Sequence, residues 1–228
     1  MIRHISAIFI KQMKDLKKNK MIMLLMLMFP ILSLLFNRIA SEQEFLAILP
    51  TFLTMNGVLL PIIFTSSIVS EEKEKNSLRM LIMSNVKSWE YLIGVGLSVF
   101  FQTFLSSLLF IPVLNKDVHN LASIYCAMAI GIIFSFLIGA ILAVICKNQM
   151  SAGPSSAPIS LVLGMAPMFS QMNEEIEKYA KYLYSYYTFY MFSDKEFQIN
   201  NDGFIILTVN LFVLLFVFII LYNKKGIK

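Results

Sequence analysis

The sequence predicts an all-α integral membrane protein with six transmembrane helices. Of its 228 residues, 57% are apolar and only 14% are charged, whereas soluble domains are about 25% charged. The apolar residues also gather into six stretches of roughly the 20 residues that a helix needs to cross a bilayer. These stretches are 21–40, 45–69, 91–114, 121–146, 155–172 and 203–222.

Basic residues lie unevenly around these stretches and predict an orientation. Fourteen of the nineteen Lys and Arg residues lie on the side that holds both termini, and nine of the fourteen acidic residues lie on the other. The positive-inside rule assigns the basic side to the cytoplasm. High usage of Lys, Ile and Asn is typical of low-GC Gram-positive bacteria. We therefore expect a multi-pass protein of the bacterial plasma membrane with both termini cytoplasmic.

Segment 1–20 carries apolar residues at three- and four-residue steps, with Lys, Arg, His and Gln between them. This spacing places the apolar side chains on one face of a helix. It predicts a basic amphipathic helix lying in the inner membrane interface; the alternative is a charged leader that only orients the first span. The apolar face consists of Ile2, Ile5, Ile8, Phe9, Met13 and Leu16.

The fifth stretch, 155–172, is the least regular of the six. Pro154, Pro158 and Pro167 lie in or beside it, and each proline removes a helical hydrogen bond and disturbs the preceding turn. We expect either a broken helix or one that begins after Pro158 and ends in an irregular turn.

Several kinds of chemistry have no sequence signature here. There is no G-x-x-x-x-G-K-[ST] phosphate loop, so we expect no ATP hydrolysis by this chain itself. Two histidines and no H-E-x-x-H motif predict no metal site. The centres of the stretches hold neutral polar residues, which either hydrogen-bond between helices or line a substrate path. The path candidates are Asn56, Gln102, Ser106 and Asn210.

The segment between the second and third stretches has the pattern of a short amphipathic helix over 71–83. Glu71 and Lys75 are four residues apart with the acid first, the order that favours a helix. Residues 84–85 are a turn signal, and Ser88 is the predicted N-cap of the next span. Such a helix suits insertion into a groove of a soluble partner. Its apolar stripe consists of Leu78, Leu81 and Ile82.

Residues 71–81 resemble the E-E-x-E-x-[GN]-[ST]-L-x-x-L signature of the permease subunits of type-2 ABC transporters. The layout of the whole chain is similar to that family as well. The resemblance implies one permease domain over 1–228, with 71–83 as the coupling helix that docks on a separate ATP-binding subunit. ATP and Mg²⁺ would then bind to that partner, with no cofactor on this chain. The docking candidates are Glu71, Glu72, Lys75, Leu78, Arg79, Leu81 and Ile82.

A second match lies at Gly164-Met-Ala-Pro167, which is similar to the Gly-x-x-Pro turn of the same family. The resemblance implies that 173–200 then forms two short helices that re-enter the outer leaflet, although the family's proline ahead of the tyrosines is missing. This segment holds six of the nine tyrosines, which either anchor it at the interface or form an exit gate. The gate candidates are Gly164, Pro167, Tyr186 and Tyr187.

The resemblance implies a permease that pairs with a second copy, or a relative, in contact with membrane lipid. Short outer loops without a capture domain favour export. The expected substrate is hydrophobic or amphipathic: a peptide toxin, an antimicrobial peptide, a drug or a lipid-like compound. The net charge of +5 is explained by orientation and docking and predicts no nucleic-acid partner. The alternatives are a membrane immunity or assembly factor that transports nothing, and an ion-driven carrier.

Overall fold

The computed structural model describes residues 2–114, 121–193 and 199–225. Within these ranges the regular structure consists of eleven α-helices, a π-helical turn at Met55–Leu59 and a 3-10 turn at Leu108–Phe110. The all-α prediction is therefore confirmed for the described residues. The α-helices are α1 (Ile2–Lys18), α2 (Lys20–Ile39), α3 (Glu42–Thr54), α4 (Leu60–Glu74), α5 (Ser77–Met83), α6 (Ser88–Ser107), α7 (Leu121–Ile145), α8 (Gln149–Ser170), α9 (Glu174–Ala180), α10 (Tyr184–Ser193) and α11 (Asn201–Lys225).

Five helical segments of the described chain are long and apolar enough to cross a membrane, and they coincide with five of the six predicted stretches. In the second segment, α3, the π-helical turn and α4 form one continuous rod. The remaining predicted span corresponds to α8, which has 22 residues but is less apolar because of its prolines and serines. Passage of α8 through the membrane stays a prediction. The five segments are Lys20–Ile39, Glu42–Glu74, Trp89–Phe110, Leu121–Ile145 and Asn201–Tyr222.

The prediction of a broken or shortened helix at α8 is wrong. The helix begins at Gln149, before Pro154, and runs through all three prolines. Asn148 caps its start, because its side chain accepts a hydrogen bond from the backbone N–H of Ser151 at 3.0 Å. Its inner face carries small residues at four-residue steps, all buried, which allow close packing against α4 and the π-helical turn. This packing holds the helix together despite the lost backbone bonds. The small residues are Ala152, Ser156, Ser160 and Gly164.

The two central helices, α4 and α7, approach each other closely at glycines. A Cβ atom on Gly139 would lie 2.7 Å from Cβ of Thr65 and 2.8 Å from the carbonyl oxygen of Ile62. Gly57, in the π-helical turn, lies beside the flexible end of the Met128 side chain. The absence of a side chain at Gly139 therefore allows α4 and α7 to approach closely.

The N-terminal helix α1 forms as predicted, but its apolar face packs largely on α6. Ile8 is buried against Gly94, and the rings of Phe9 and Phe101 meet edge to face at 5.8 Å. His4, one turn before Ile8, faces α6 as well, and its Nδ1 atom lies 2.9 Å from the carboxylate of Glu90. A position in the membrane interface stays a prediction.

The structure corrects the predicted single helix over 71–83. Residues 71–74 continue α4, and α5 is a separate helix that begins at Ser77. Asn76 between them has φ of 54°, the left-handed conformation that asparagine tolerates better than most residues. Asn85, with φ of 63°, confirms the predicted turn, whereas Lys87 takes the N-cap position of α6 in place of Ser88.

Two short helices, α9 and α10, follow α8 as the resemblance implied, although 194–198 of the predicted segment lie outside the described residues. The ring of Tyr184 stacks on Phe134 at 5.0 Å, and its hydroxyl lies 2.8 Å from that of Ser135. Because Ser135 is near the middle of α7, α10 begins at about half the height of the bundle and then runs back toward its edge.

Candidate functional site

The last turn of α4, residues 71–74, carries four charged side chains that reach different helices, and we call it the α4 junction. Glu72 points toward α1, where its carboxylate accepts from Nε2 of Gln12 at 2.8 Å and pairs with the ammonium group of Lys11. Only 6% of Glu72 is exposed. A buried carboxylate needs such partners, so Glu72 attaches α1 to α4.

Lys73 connects the junction to α7. Its ammonium group donates to the carbonyl oxygens of Ala143 at 2.9 Å and of Cys146 at 2.7 Å. The last carbonyl groups of a helix have no partner within it and carry partial negative charge. Lys73 therefore caps α7 from α4.

The two outer carboxylates of the junction connect it to α8. Gln149 donates its backbone N–H to Glu74 at 3.0 Å and its side-chain amide to Glu71 at 3.4 Å. Glu71 also pairs with Lys75, one turn later, and this hydrogen bond raises the pKa of the Lys75 ammonium. The junction thus touches α1, α7 and α8 within one turn of helix.

The helix α5 follows the junction directly and presents an exposed apolar surface. Met80 and Met83 are 60% and 80% exposed, while Leu81 packs against the core and Ser77 donates to the carbonyl oxygen of Glu72 at 3.1 Å. α5 is therefore attached on one side and open on the other, which suits an external partner.

The predicted docking residues divide into three groups. Glu72 is buried and pairs within this chain, and Leu81 is partly buried against the core, so their role as direct contacts stays a prediction. Glu71 is half-buried and Lys75 is exposed. The structure does not describe the side chains of Leu78, Arg79 and Ile82, so their docking role stays a prediction.

The exposed methionines of α5 were missed by the sequence reasoning. Met80 and Met83 are three residues apart, the spacing of one helical face. The sequence reasoning instead assigned the apolar face of this helix to Leu78, Leu81 and Ile82.

Two of the four path candidates lie together. The hydroxyl of Ser106 is 2.9 Å from Oδ1 of Asn56 and 2.5 Å from the carbonyl oxygen of Met26. Both polar side chains are buried, and they join α2, the π-helical turn and α6. Such contacts fit the interhelical alternative, and a role on a path stays a prediction.

The other two path candidates lie elsewhere. Gln102 is one turn from Ser106 but lines a cavity at the α5 end of the bundle. Asn210, on α11, donates to the carbonyl oxygens of Tyr182 and Ile206, each at 2.9 Å. The structure therefore does not bring the four candidates into one site.

The gate candidates lie on α8 and α10, which pack together at the end opposite α5. Gly164 is next to the side chain of Met55, and the ring of Tyr187 is next to Gly203. The Tyr186 hydroxyl donates to Glu177 of α9 at 3.2 Å. Hydrogen bonds from Lys181 and then from Tyr186 hold the pKa of Glu177 below its usual value. Pro167 is buried.

A family profile described as "ABC-2 family transporter protein" matches residues 11–223, nearly the whole chain. No curated protein matches it. The matched range includes the α4 junction, α5 and all five membrane-crossing segments.

Proposed function

The chain belongs to the ABC-2 family of transporter proteins, and we propose that it is the permease subunit of an ATP-driven exporter of the bacterial plasma membrane. Members of this family span the membrane and rely on an ATP-binding subunit for energy. In this proposal α5 is the coupling helix, both termini are cytoplasmic, and ATP and Mg²⁺ bind only to the partner.

The α4 junction is the observation that carries this proposal. A partner that displaces α5 would act on the end of α4 through Asn76 and Ser77. From there Glu72, Lys73 and the carboxylates that hold Gln149 reach α1, α7 and α8. Packed helices transmit displacements as rigid bodies, so a small movement of α5 is passed to three further helices.

The surface of α8 supports pairing with a second permease copy or a relative. Gly153, Ser155 and Pro158 are exposed there beside Leu161 and Val162. Small residues allow the backbones of two helices to approach closely in a membrane. In this arrangement α8 is the sixth span, and the two copies form a twelve-helix pathway.

Export of a hydrophobic or amphipathic substrate is the direction and class that we favour. The pair α9 and α10 reaches from the outer end toward the middle of the bundle, where α10 packs against α7, α3 and α8. Tyr190 of α10 is partly exposed, and a tyrosine offers both a ring and a hydroxyl to an amphipathic molecule. Peptide toxins, antimicrobial peptides, drugs and lipid-like compounds belong to this class.

The proposal is tested by co-purification with the ATP-binding subunit encoded beside this chain. We expect Met83→Asp to abolish the complex, because a charge at the exposed end of α5 would be desolvated in a docking groove. The matched control is Met172→Asp, since Met172 is 76% exposed at the opposite end of the bundle. Equal retention of the complex by both variants would overturn the docking assignment.

Cellular assays separate the alternatives. If tolerance to a toxic substrate persists after the ATP-binding subunit is deleted, an immunity factor without transport replaces the exporter. Transport that collapses with the membrane potential at constant ATP would indicate an ion-driven carrier.

A further inference from the structure

A cavity of about 780 Å³ opens between α1, α2, α4 and α5. It lies at the α5 end of the bundle, and its size is within the range of small-molecule sites. Apolar residues line it beside charged ones, which suits an amphipathic occupant. The charged residues are Lys11, Asp15, Lys18, Lys20, Glu71, Glu72 and Lys75, and the apolar residues are Leu16, Ile22, Ile68 and Met80.

Pairing within the cavity leaves an excess of positive charge. Glu72 is paired with Lys11, and Glu71 with Lys75. Lys18 and Lys20, at the end of α1 and the start of α2, form no ion pair with any residue in the described part of the chain. Asp15 is the one acid of this lining outside those pairs. The lining therefore has a net charge of one positive, and its two ammonium groups outside any ion pair of the described chain can hold an anion.

Gln102 of α6 provides a second and independent feature. It lines the same cavity and is only 2% exposed, and its Oε1 atom has no hydrogen-bond partner in the described structure. Buried polar atoms in proteins are nearly always paired. An unpartnered carbonyl oxygen in a cavity is a place for a hydrogen-bond donor of a ligand.

We propose that this cavity binds the head group of an inner-leaflet phospholipid that combines a phosphate with a hydrogen-bond donor. Lys18 and Lys20 hold the phosphate, and a hydroxyl or ammonium hydrogen of the head group is donated to Oε1 of Gln102. Basic pockets between membrane helices on the cytoplasmic side bind such head groups. Phosphatidylglycerol and phosphatidylethanolamine carry the donor, and phosphatidylcholine does not.

A bilayer lipid fits this cavity better than a soluble phosphate does. Ile22 and Ile68 give it an apolar wall, which would contact the glycerol and upper acyl groups of a lipid. Met80 of α5 also lines it, so an occupant would touch the proposed coupling helix.

The phosphate contacts are tested on the full chain in phosphatidylcholine nanodiscs that contain labelled phosphatidylglycerol or phosphatidylethanolamine. Retention of lipid is read by native mass spectrometry and affinity by fluorescence titration. We expect Lys18→Gln/Lys20→Gln to weaken binding by about tenfold or more. Lys14→Gln/Lys17→Gln removes the same charge from exposed positions of α1 outside the cavity, and its affinity should be unchanged. If both double variants lost the same amount of lipid affinity, general attraction between basic residues and anionic lipid would explain the binding. That result would overturn the proposed site.

The donor contact is tested with Gln102→Leu. This variant should lose the preference for phosphatidylglycerol and phosphatidylethanolamine over phosphatidylcholine, while its melting temperature is equal or higher, because an unpartnered buried carbonyl is removed. A purely structural Gln102 would instead lower the melting temperature and leave the preference intact. If soluble glycerol phosphate displaced the lipid, the cavity would be a site for a soluble ligand. That result would overturn the proposal that a lipid occupies it.

Discussion

The ammonium group of Lys73 lies 2.7 Å from the carbonyl oxygen of Cys146, so the final turn of α4 caps the end of α7. Lys73 is two residues from the turn at 75–76 that leads into α5. This single side chain therefore joins the proposed docking helix to the helix at the centre of the bundle.

Lys73→Met should uncouple transport from ATP hydrolysis. The methionine keeps most of the side-chain volume but cannot donate to the carbonyl groups of α7, and lost charge-assisted hydrogen bonds cost about 1.5–3 kcal/mol. We expect complex formation with the ATP-binding subunit to persist while substrate transport per ATP falls several-fold, measured in proteoliposomes. Lys147→Met, at an exposed position beside the same helix end, is the control. If Lys73→Met transported as much substrate per ATP as the unchanged protein, the contact between Lys73 and α7 would not couple ATP hydrolysis to transport.

The pair of Lys11 and Glu72 should show strong coupling in a double-mutant cycle. Lys11→Met alone leaves a buried carboxylate with one partner fewer, and we expect a loss of about 1–2 kcal/mol of unfolding free energy, since Lys11 itself is partly exposed. The double variant Lys11→Met/Glu72→Gln should recover part of that loss. Chemical unfolding in detergent, followed by circular dichroism, measures both, and additive losses would contradict the pairing.

Gly139→Ala should destabilise the bundle, whereas Gly153→Ala should not. A methyl group at Gly139 would collide with the backbone of Ile62 on α4, and overpacking of this kind costs about 1–3 kcal/mol. At Gly153 the added atom meets open space, and alanine favours a helix over glycine by up to about 1 kcal/mol. Thermal unfolding of the two variants is the measurement. Equal melting temperatures would mean that α4 and α7 are not in close contact.

The contact between α9 and α10 should weaken at acidic pH. The pKa of Glu177 is lowered from 4.5 in the folded protein, so its contribution to stability is present above pH 4.5 and is lost as the pH falls through the folded value. The melting temperature of the unchanged protein should exceed that of Glu177→Gln at neutral pH. This difference between the two proteins should shrink below pH 4.5. Glu175→Gln is the matched control, because Glu175 and its partner Lys178 are largely exposed. A difference that does not depend on pH would contradict the assignment.

Local signals predicted much of the fold. Apolar length located five membrane-crossing helices, three- and four-residue spacing located α1, and Ser84-Asn85 marked the turn before α6. These features depend on short stretches of sequence, and each stretch carries its own hydrophobic or turn preference. The same local reasoning went wrong at α8, where prolines indicated a break, and at 71–83, where a favourable acid–base spacing indicated one helix.

Local sequence patterns predicted only part of the candidate site. Its location after the second span followed from the acidic and basic cluster at 71–79. The partners of that cluster, Gln12, Cys146 and Gln149, are distant in sequence, and no local spacing relates them.

The sequence by itself determined the membrane character of the chain, most of its spans and, through the signature at 71–81, its family. Only the tertiary structure decided that Glu72 faces inward, that Lys73 caps α7 and that Met83 is exposed. The physical reason is that hydrophobic length and turn preference act over neighbouring residues. The partner of a charged side chain, by contrast, depends on which helices are packed beside it, and the packing of α4 on α7 depends on a small residue at Gly139.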